Sequence, residues 1–361
     1  MRFMSRPTPL HEVHKSLGAT LTDFAGWLMP LRYGSESAEH TAVRTTAGLF
    51  DLSHMGEIHV TGPGAADALD FALVGNLGGL EPGRARYTMM CEPGGGIVDD
   101  LIVYRLAADE FMVCANASNY LKVAAELTDR AKNHDAVVDD RSDSYALLAI
   151  QGPNSPEILA KLTDADLAGL KYYTGLPGTV AGVEALIART GYTGEDGFEL
   201  FVSAGDAVPL WHALMEAGRD HGLVPAGLSA RDTLRLEAGM PLYGNELTSA
   251  TTPADAGLAR VVRFDKQGDF VGRTALSGVQ PDKRLVGLVM RGRRVPRHGF
   301  AVVDAEGTPI GEVTSGAPSP SIGRPIAMAY VEVDATPAAV DIRGSHEPVD
   351  VVDLPFYRRK K

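Results

Sequence analysis

From residue 97 to 104 the chain reads Ile97-Val98-Asp99-Asp100-Leu101-Ile102-Val103-Tyr104, an apolar run broken by two carboxylates and preceded by Gly94-Gly95-Gly96. The pattern predicts a strand entered from a tight turn or from a close backbone approach to a ligand. Side chains alternate along a strand, so Asp100 shares a side with Ile102 and Tyr104, and Asp99 with Leu101 and Val103. Apolar periodicity predicts helices over 8–18, 36–47, 64–74, 119–132, 154–163 and 208–218, and strands over 57–61, 84–91, 111–115 and 145–150. Gly18 ends the first helix, and Ser118 or Asn119 caps the fourth. Asp23 to Tyr33 leads into a polar stretch and is assigned no element. Between 185 and 202 two apolar runs flank Gly191 to Gly197, whose Asp196-Gly197 step predicts a hairpin turn. In the second run Phe198, Leu200 and Val202 share a face and Glu199 takes the other. Ser229 is placed to cap a further helix ended by Gly239 and Pro241, with Arg231 and Arg235 on one face. Beyond 283, turn signals at Arg297-His298-Gly299, Asp304 to Gly307 and Ser315 to Pro320 space short strands as in a small barrel or sandwich. No low-complexity segment and no fixed-period repeat is visible.

The residues able to carry chemistry each have a plain structural reading as well. Asp100 is a hydrogen-bonded turn former or an acid facing the same way as Tyr104. Asn116 is a cap-region residue or an amide presented to a ligand at a strand end. Spacing alone makes Glu199 an exposed strand glutamate, and makes Arg231 and Arg235 part of a surface ion-pair ladder with Asp232 and Glu237. His54 reads as a core histidine before it reads as a catalytic one. Arg291, Arg293, Arg294 and Arg297 form either a solvated loop or a docking surface for an acidic partner.

Composition narrows the class. A chain of 361 residues exceeds what one hydrophobic core supports, so two or three domains are expected. The net charge of -12 argues against a general nucleic-acid binder, and an anionic ligand needs locally placed Arg or Lys. Cys91 and Cys114 have no His or Cys at metal spacing and read as free thiols of a reducing cytoplasm. Met1 to Pro7 lacks an apolar leader core and no run is long enough to span a bilayer, so the expectation is a soluble protein that is neither secreted nor membrane-bound.

Six stretches then combine. Phe24-Ala25-Gly26-Trp27, Leu49-Phe50-Asp51-Leu52-Ser53-His54-Met55, Gly95-Gly96-Ile97-Val98-Asp99-Asp100-Leu101-Ile102, Gly191-Tyr192-Thr193-Gly194-Glu195-Asp196-Gly197, Ala230-Arg231-Asp232-Thr233-Leu234-Arg235-Leu236-Glu237-Ala238-Gly239 and Thr314-Ser315-Gly316-Ala317-Pro318-Ser319-Pro320 occur in this order. Together they closely resemble the landmarks of the folate-binding T-protein family, the aminomethyltransferases of the glycine cleavage system, over nearly the full chain.

The resemblance implies an α+β fold, a three-domain cloverleaf around a central folate channel with a C-terminal β-barrel-like domain. Its divisions fall at 1–49 with 145–279, at 50–144 and at 280–361. It implies transfer of the one-carbon unit from the aminomethyl-lipoyl arm of H-protein to tetrahydrofolate, with ammonia released and no metal or redox cofactor. The implied partners are lipoylated H-protein and folate, with no nucleic acid or membrane, in a cytoplasmic setting. Residue by residue, Asp100 matches the family's key acid, with Tyr104 on its side of the strand. Asn116 and Glu199 match a folate-contacting amide and carboxylate, suited to a pterin edge rich in N–H donors. Arg231 matches a ligand-binding arginine, and Met55, Tyr87, Tyr192 and Tyr243 line the pocket. Tyr357 and Arg358 stand where the family places a C-terminal contact. The same module also serves tetrahydrofolate-dependent demethylases and the folate half of sarcosine- or dimethylglycine-oxidising proteins, but this chain has no Gly-x-Gly-x-x-Gly fingerprint and no room for a flavin domain. A non-catalytic folate-binding helper of iron-sulfur assembly would carry a reactive cysteine near Gly191 to Gly197, where this chain has none.

Overall fold

The computed structural model describes residues 5–359, so the N-terminal reading on Met1 to Met4 and the final Lys360 and Lys361 lie outside the described residues. The chain divides into two compact units. The first comprises the chain through Ala72, Asn76–Thr88 and Leu101–Arg231; the second comprises Leu73–Gly75, Met89–Asp100 and the chain from Asp232 onward. Among the described residues no helix is long and apolar enough to cross a membrane.

The first unit opens with β1 (Arg6–Pro7) and α1 (His11–Ser16). Helix α1 is shorter than its apolar pattern, and ahead of it the Thr8 hydroxyl donates to the buried Asp51 carboxylate, 2.7 Å, while accepting from the Leu10 N–H. Asp23 to Tyr33, which the pattern leaves unassigned, forms most of a hairpin between β2 (Thr20–Phe24) and β3 (Trp27–Arg32). Its turn residues Ala25 and Gly26 are both left-handed, φ 51° and 82°, which suits the twist of a two-residue hairpin. Helix α2 (Glu36–Thr45), capped by the Ser35 side chain, leads into β4 (Ala47–Asp51).

Two runs of the same order then follow. The first is β5 (Gly56–Thr61), α3 (Ala65–Ala72), β6 (Ala85–Cys91), β7 (Ile97–Ala107), β8 (Glu110–Ala115), α4 (Tyr120–Arg130) and β9 (Val137–Asp140). The second is β10 (Tyr145–Gln151), α5 (Ser155–Leu159), β11 (Gly175–Val180), β12 (Val183–Ala188), β13 (Gly197–Ser203), α6 (Ala207–Gly218) and β14 (Leu223–Pro225). The sheets they build are ordered β6-β7-β8-β5-β9 and β11-β12-β13-β10-β4-β14, so four strands repeat in the same spatial order. The difference is β4, which inserts between β10 and β14. A repeat is therefore present in topology although none of fixed period is legible in the residues.

The two copies meet at an isolated antiparallel bridge, Arg84 opposite Thr174. There Gly175 N–H donates to Gly83 O and Ala85 N–H to Tyr173 O, both 2.9 Å. Arg105 donates to Leu80 O in one copy and Arg189 to Leu170 O in the other. Facing side chains connect the sheets: Tyr104 lies edge-on to Phe201, 5.3 Å between ring centres, and His59 Nε2 is 3.1 Å from the Tyr145 hydroxyl. The far side of the second sheet packs Leu148, Ile150, Phe198, Leu200 and Val202 with Leu210, Trp211 and Leu214 of α6. Each such side chain contributes about 1.5–3 kcal/mol on burial.

Several local expectations change. Asn119 occupies the cap of α4 without a side-chain cap bond, and the Asn116 carbonyl accepts the N–H groups of Asn119 and Tyr120 instead. Helix α5 stops at Leu159, short of 163. The Asp196-Gly197 step is not a tight turn: Ala188 pairs with Glu199, and residues 189–196 form an open loop around the Gln151 side chain. Helix α7 (Leu228–Glu237) begins before Ser229, which therefore lies inside it.

The second unit contains the Gly-rich turn, the loops after α7, the short α8 (Arg273–Leu276) and a closed barrel. Among the turn glycines, Gly95 is left-handed at φ 90°, and a Cβ on Gly96 would sit 2.1 Å from Ser249 O, whereas one on Gly94 would meet nothing. The barrel runs β15 (Lys283–Met290), β16 (Ala301–Val303), β17 (Pro309–Ser319), β18 (Arg324–Glu332), β19 (Ala339–Ile342) and β20 (Ser345–Val352), closed in the order β15-β18-β17-β16-β19-β20. Val286, Leu288, Val313, Ala327, Ala329 and Val340 fill it, which resolves barrel against sandwich. Arg235 is buried, donating to Asp232, Glu246 and Ser315. Glu237 is buried as well and accepts the Ser319 and Ser321 hydroxyls, so Arg235 and Glu237 lie in the interior and not on a surface ladder.

Two predictions follow from these environments. Gly96→Ala should cost roughly 2 kcal/mol or more in urea unfolding, through backbone collision, while Gly94→Ala should be near neutral; equal effects would refute the geometry. Glu57 on β5 is almost fully buried, its Oε1 has no partner among the described residues, and burial followed by repulsion from Asp140 raises its pKa well above the carboxylate range. Folded Glu57 thus keeps its proton while the unfolded chain ionises from about pH 4.5 upward, so stability is lost as pH rises. Glu57→Gln should raise the melting temperature by a margin that widens between about pH 5 and pH 8, and a constant margin would refute it.

Candidate functional site

In the first unit, β13 presents Glu199 and β7 presents Tyr104, and the loop leaving β12 supplies Thr190 between them. The Thr190 hydroxyl donates to Glu199 Oε2, 2.5 Å, and lies 3.0 Å from the Tyr104 hydroxyl. Tyr104 also reaches Glu199 Oε2 at 3.5 Å. Glu199 is buried on a central strand, not exposed as spacing alone suggested, because Thr190 and, from the facing sheet, Tyr104 cover the face from which it projects. Burial raises its pKa; the Thr190 bond, the Arg231 charge and the Tyr104 bond, in that order, oppose the rise. Burial, then Glu199, also pushes the Tyr104 hydroxyl far above the usual tyrosine range, so it remains a donor.

Arg231, on α7, stands 4.7 Å above the Tyr192 ring, a cation-over-face arrangement that holds the guanidinium in place. His54 is buried edge-on against Phe24, 5.5 Å between ring centres. Burial first and Arg231 second lower its pKa to about 4, so it is neutral at physiological pH. Asp51, just before it in the chain, accepts from Thr8, His14 and the Ser53 N–H, and those bonds with the His14 charge hold it below the usual carboxylate range against the cost of burial. Met55 ends the turn that follows, its N–H on Leu52 O. Tyr87 on β6 and Asn116 after β8 are both half-buried.

In the second unit, Asp99 is fully buried and Asp100 half-buried where β7 leaves the Gly-rich turn. Tyr243 is near both: burial, then Asp99, Glu92 and Asp100, raises its pKa. The Tyr357 N–H donates to Glu237 O, 2.8 Å, and Arg358 is exposed. Among the described residues no group of His, Cys, Asp or Glu is arranged to hold a metal ion.

The structure thus brings Tyr104, Glu199, Arg231 and Tyr192 together in one unit, and Asp100 with Tyr243 in the other. Sequence reasoning missed Thr190. Its contact with Glu199 depends on the loop 189–196 folding back on β13, and a threonine beside Gly-Tyr-Thr-Gly carries no signal of that by itself. Tyr173 was missed too: it is left-handed at φ 59° and adds to the field around Tyr104.

The family model for the GCVT N-terminal domain matches residues 10–266, and that for the glycine cleavage T-protein C-terminal barrel domain matches 283–358. The chain is similar to the aminomethyltransferase of Streptomyces coelicolor, 68% identical over 99% of this chain and 98% of the relative. It is 59% identical to that of Saccharopolyspora erythraea, over 98% of each chain. Among solved structures it resembles the glycine cleavage system aminomethyltransferase T from Bartonella henselae, with a TM-score of 0.92 and 38% identity over 99% of this chain and all of the other. The chain belongs to the glycine cleavage T-protein family, the aminomethyltransferases of the glycine cleavage system.

Proposed function

We propose that the chain takes the aminomethyl group carried on the lipoyl arm of H-protein, hands its carbon to tetrahydrofolate and releases ammonia. One C–S and one C–N bond break, two C–N bonds to folate form, and the two protons leaving folate nitrogens end on the dihydrolipoyl thiol and on ammonia. The observation that supports this best is the Glu199 carboxylate, set beside Thr190, Tyr104 and Arg231 in a chain related to aminomethyltransferases over its full length.

On this reading Glu199 accepts from the pterin N–H edge, Arg231 takes an acceptor or anionic group of the same ligand, and Asn116, Met55, Tyr87 and Tyr192 line the folate site. Tyr243, Tyr357 and Arg358, which belong to the second unit, are further proposed ligand contacts. Asp100 stabilises the positive charge that develops on the carbon in transit and accepts a proton from a folate nitrogen. The chain through 49 with 145–279 then forms the folate domain, 50–144 the domain with the Gly-rich turn, and 280–361 the barrel domain. A cytoplasmic setting suits the two buried cysteines, which are not joined in a disulfide.

A carboxylate about 4 Å from a cation at an effective dielectric near 20 contributes at most about 4 kcal/mol, or roughly a thousandfold in rate. Asp100→Asn should lose on the order of 10²- to 10⁴-fold in turnover of aminomethyl-loaded H-protein and tetrahydrofolate while its melting temperature stays close to wild type; near-normal turnover would refute the assignment.

H-protein docking is proposed at the arginines before β16. Arg291 and Arg294 are engaged by Asp350 and Glu347, leaving Arg293 and Arg297 exposed and without an ion pair among the described residues. Reversing the charge of both should raise KM for H-protein roughly tenfold at low salt and less at high salt, with folate affinity unchanged. An unchanged KM would rule out docking there.

A further inference from the structure

Glu199 Oε2 and Oε1 have different surroundings. Oε2 receives the Thr190 hydroxyl and lies within reach of Tyr104, whereas Oε1 accepts no hydrogen bond from any described residue. Because Thr190 spends its only proton on Glu199, Tyr104 must be the donor in its own contact with Thr190. The donors therefore run in one direction, Tyr104 to Thr190 to Glu199, and end on an acceptor.

Thr190 is fixed independently of that contact. Gln151, itself buried, donates from Nε2 to Thr190 O, 3.1 Å, and accepts the Thr193 hydroxyl at Oε1, 2.9 Å. The loop backbone passes close against the same side chain, since a Cβ on Gly191 or Gly197 would collide with Gln151. At the other side, β12 and β13 hold Ala188 opposite Glu199. Both ends of the Thr190–Glu199 bond are thus tied to the framework of the second sheet.

We propose that Thr190 is a positioning residue for substrate recognition: with Tyr104 it occupies one oxygen of the Glu199 carboxylate and leaves Oε1 as the acceptor presented to adjacent N–H groups of the folate pterin. This rests on the reading of Glu199 as a folate contact. It selects ligands offering N–H donors and disfavours an analogue that offers a lone pair at that position, because Oε1 has no proton to give.

The test uses the full-length protein and tetrahydrofolate under anaerobic reductant, with affinity measured by calorimetry from about pH 6 to pH 9. Thr190→Val removes the donor and keeps the shape; Thr190→Ala repeats the comparison without added bulk; Thr190→Ser restores the hydroxyl. Loss of the donor removes a bond that opposes protonation of Glu199. The valine and alanine variants should therefore bind roughly tenfold more weakly near neutral pH and regain affinity as pH rises, while serine follows wild type. In turnover the loss should fall on KM for folate, with kcat within about twofold. Wild-type affinity and pH profile in the valine and alanine variants, with Glu199→Gln weakened, would overturn the role of Thr190 and leave Glu199 standing. Wild-type affinity in Glu199→Gln would overturn both.

Discussion

Where residues 83–85 cross 173–175, two backbone hydrogen bonds join the sheets of the first unit, and much of that unit's geometry depends on the crossing. The bonds are reciprocal: position 175 donates to 83, and 85 to 173. Each copy closes onto it in the same way, with Arg105 N–H on Arg84 O and Arg189 N–H on Thr174 O. The neighbours of these arginines, Tyr104 and Thr190, are consequently brought to 3.0 Å although they stand far apart in the chain. The arrangement has a cost. At the position where one copy has Gly83, φ 80°, the other places Tyr173 at φ 59°, a conformation that costs a non-glycine residue on the order of 1 kcal/mol.

The space between the sheets is polar where a core would ordinarily be apolar. Glu57, His59, Tyr104, Tyr145 and Glu199 all face into it. Buried acids there have two outcomes. Glu199 has the Thr190 hydroxyl as donor, the Tyr104 hydroxyl within reach and the Arg231 charge to oppose the penalty of burial. Glu57 has no such donor and a like charge nearby, so it is held neutral. The same side-chain type is thus a recognition group in one place and a stability liability in the other, and the donors around it decide which.

Legibility in the sequence followed the range of the interactions involved. Strands such as Ile97–Ala107 and Tyr145–Gln151 and helices such as Ala207–Gly218 rest on local periodicity and were readable. The hairpin at Ala25-Gly26 was not, because its turn uses an alanine in a left-handed conformation and its strands carry little alternation. The burial of Glu199 and Arg235 was misjudged for a related reason: spacing gives the face a residue occupies but not what covers that face. The topological repeat escaped for the same cause, since the two copies share strand order and hydrogen bonds rather than residues.

The repeat also explains why the site is asymmetric. Arg105 lies over the Phe111 ring in one copy and Arg189 over Phe198 in the other, so the residues that follow, Met112 and Glu199, occupy equivalent places. Both turn toward the space between the sheets, Met112 beside its cross-strand partner Tyr104. A carboxylate at both positions would set two like charges in a region of low dielectric, and one would be forced to keep its proton. Methionine at one position fills volume without a polar demand, which leaves the hydroxyls of Tyr104 and Thr190 to serve a single acid. The duplicated framework supplies the placement, and a difference of one side chain between its copies gives that placement a direction.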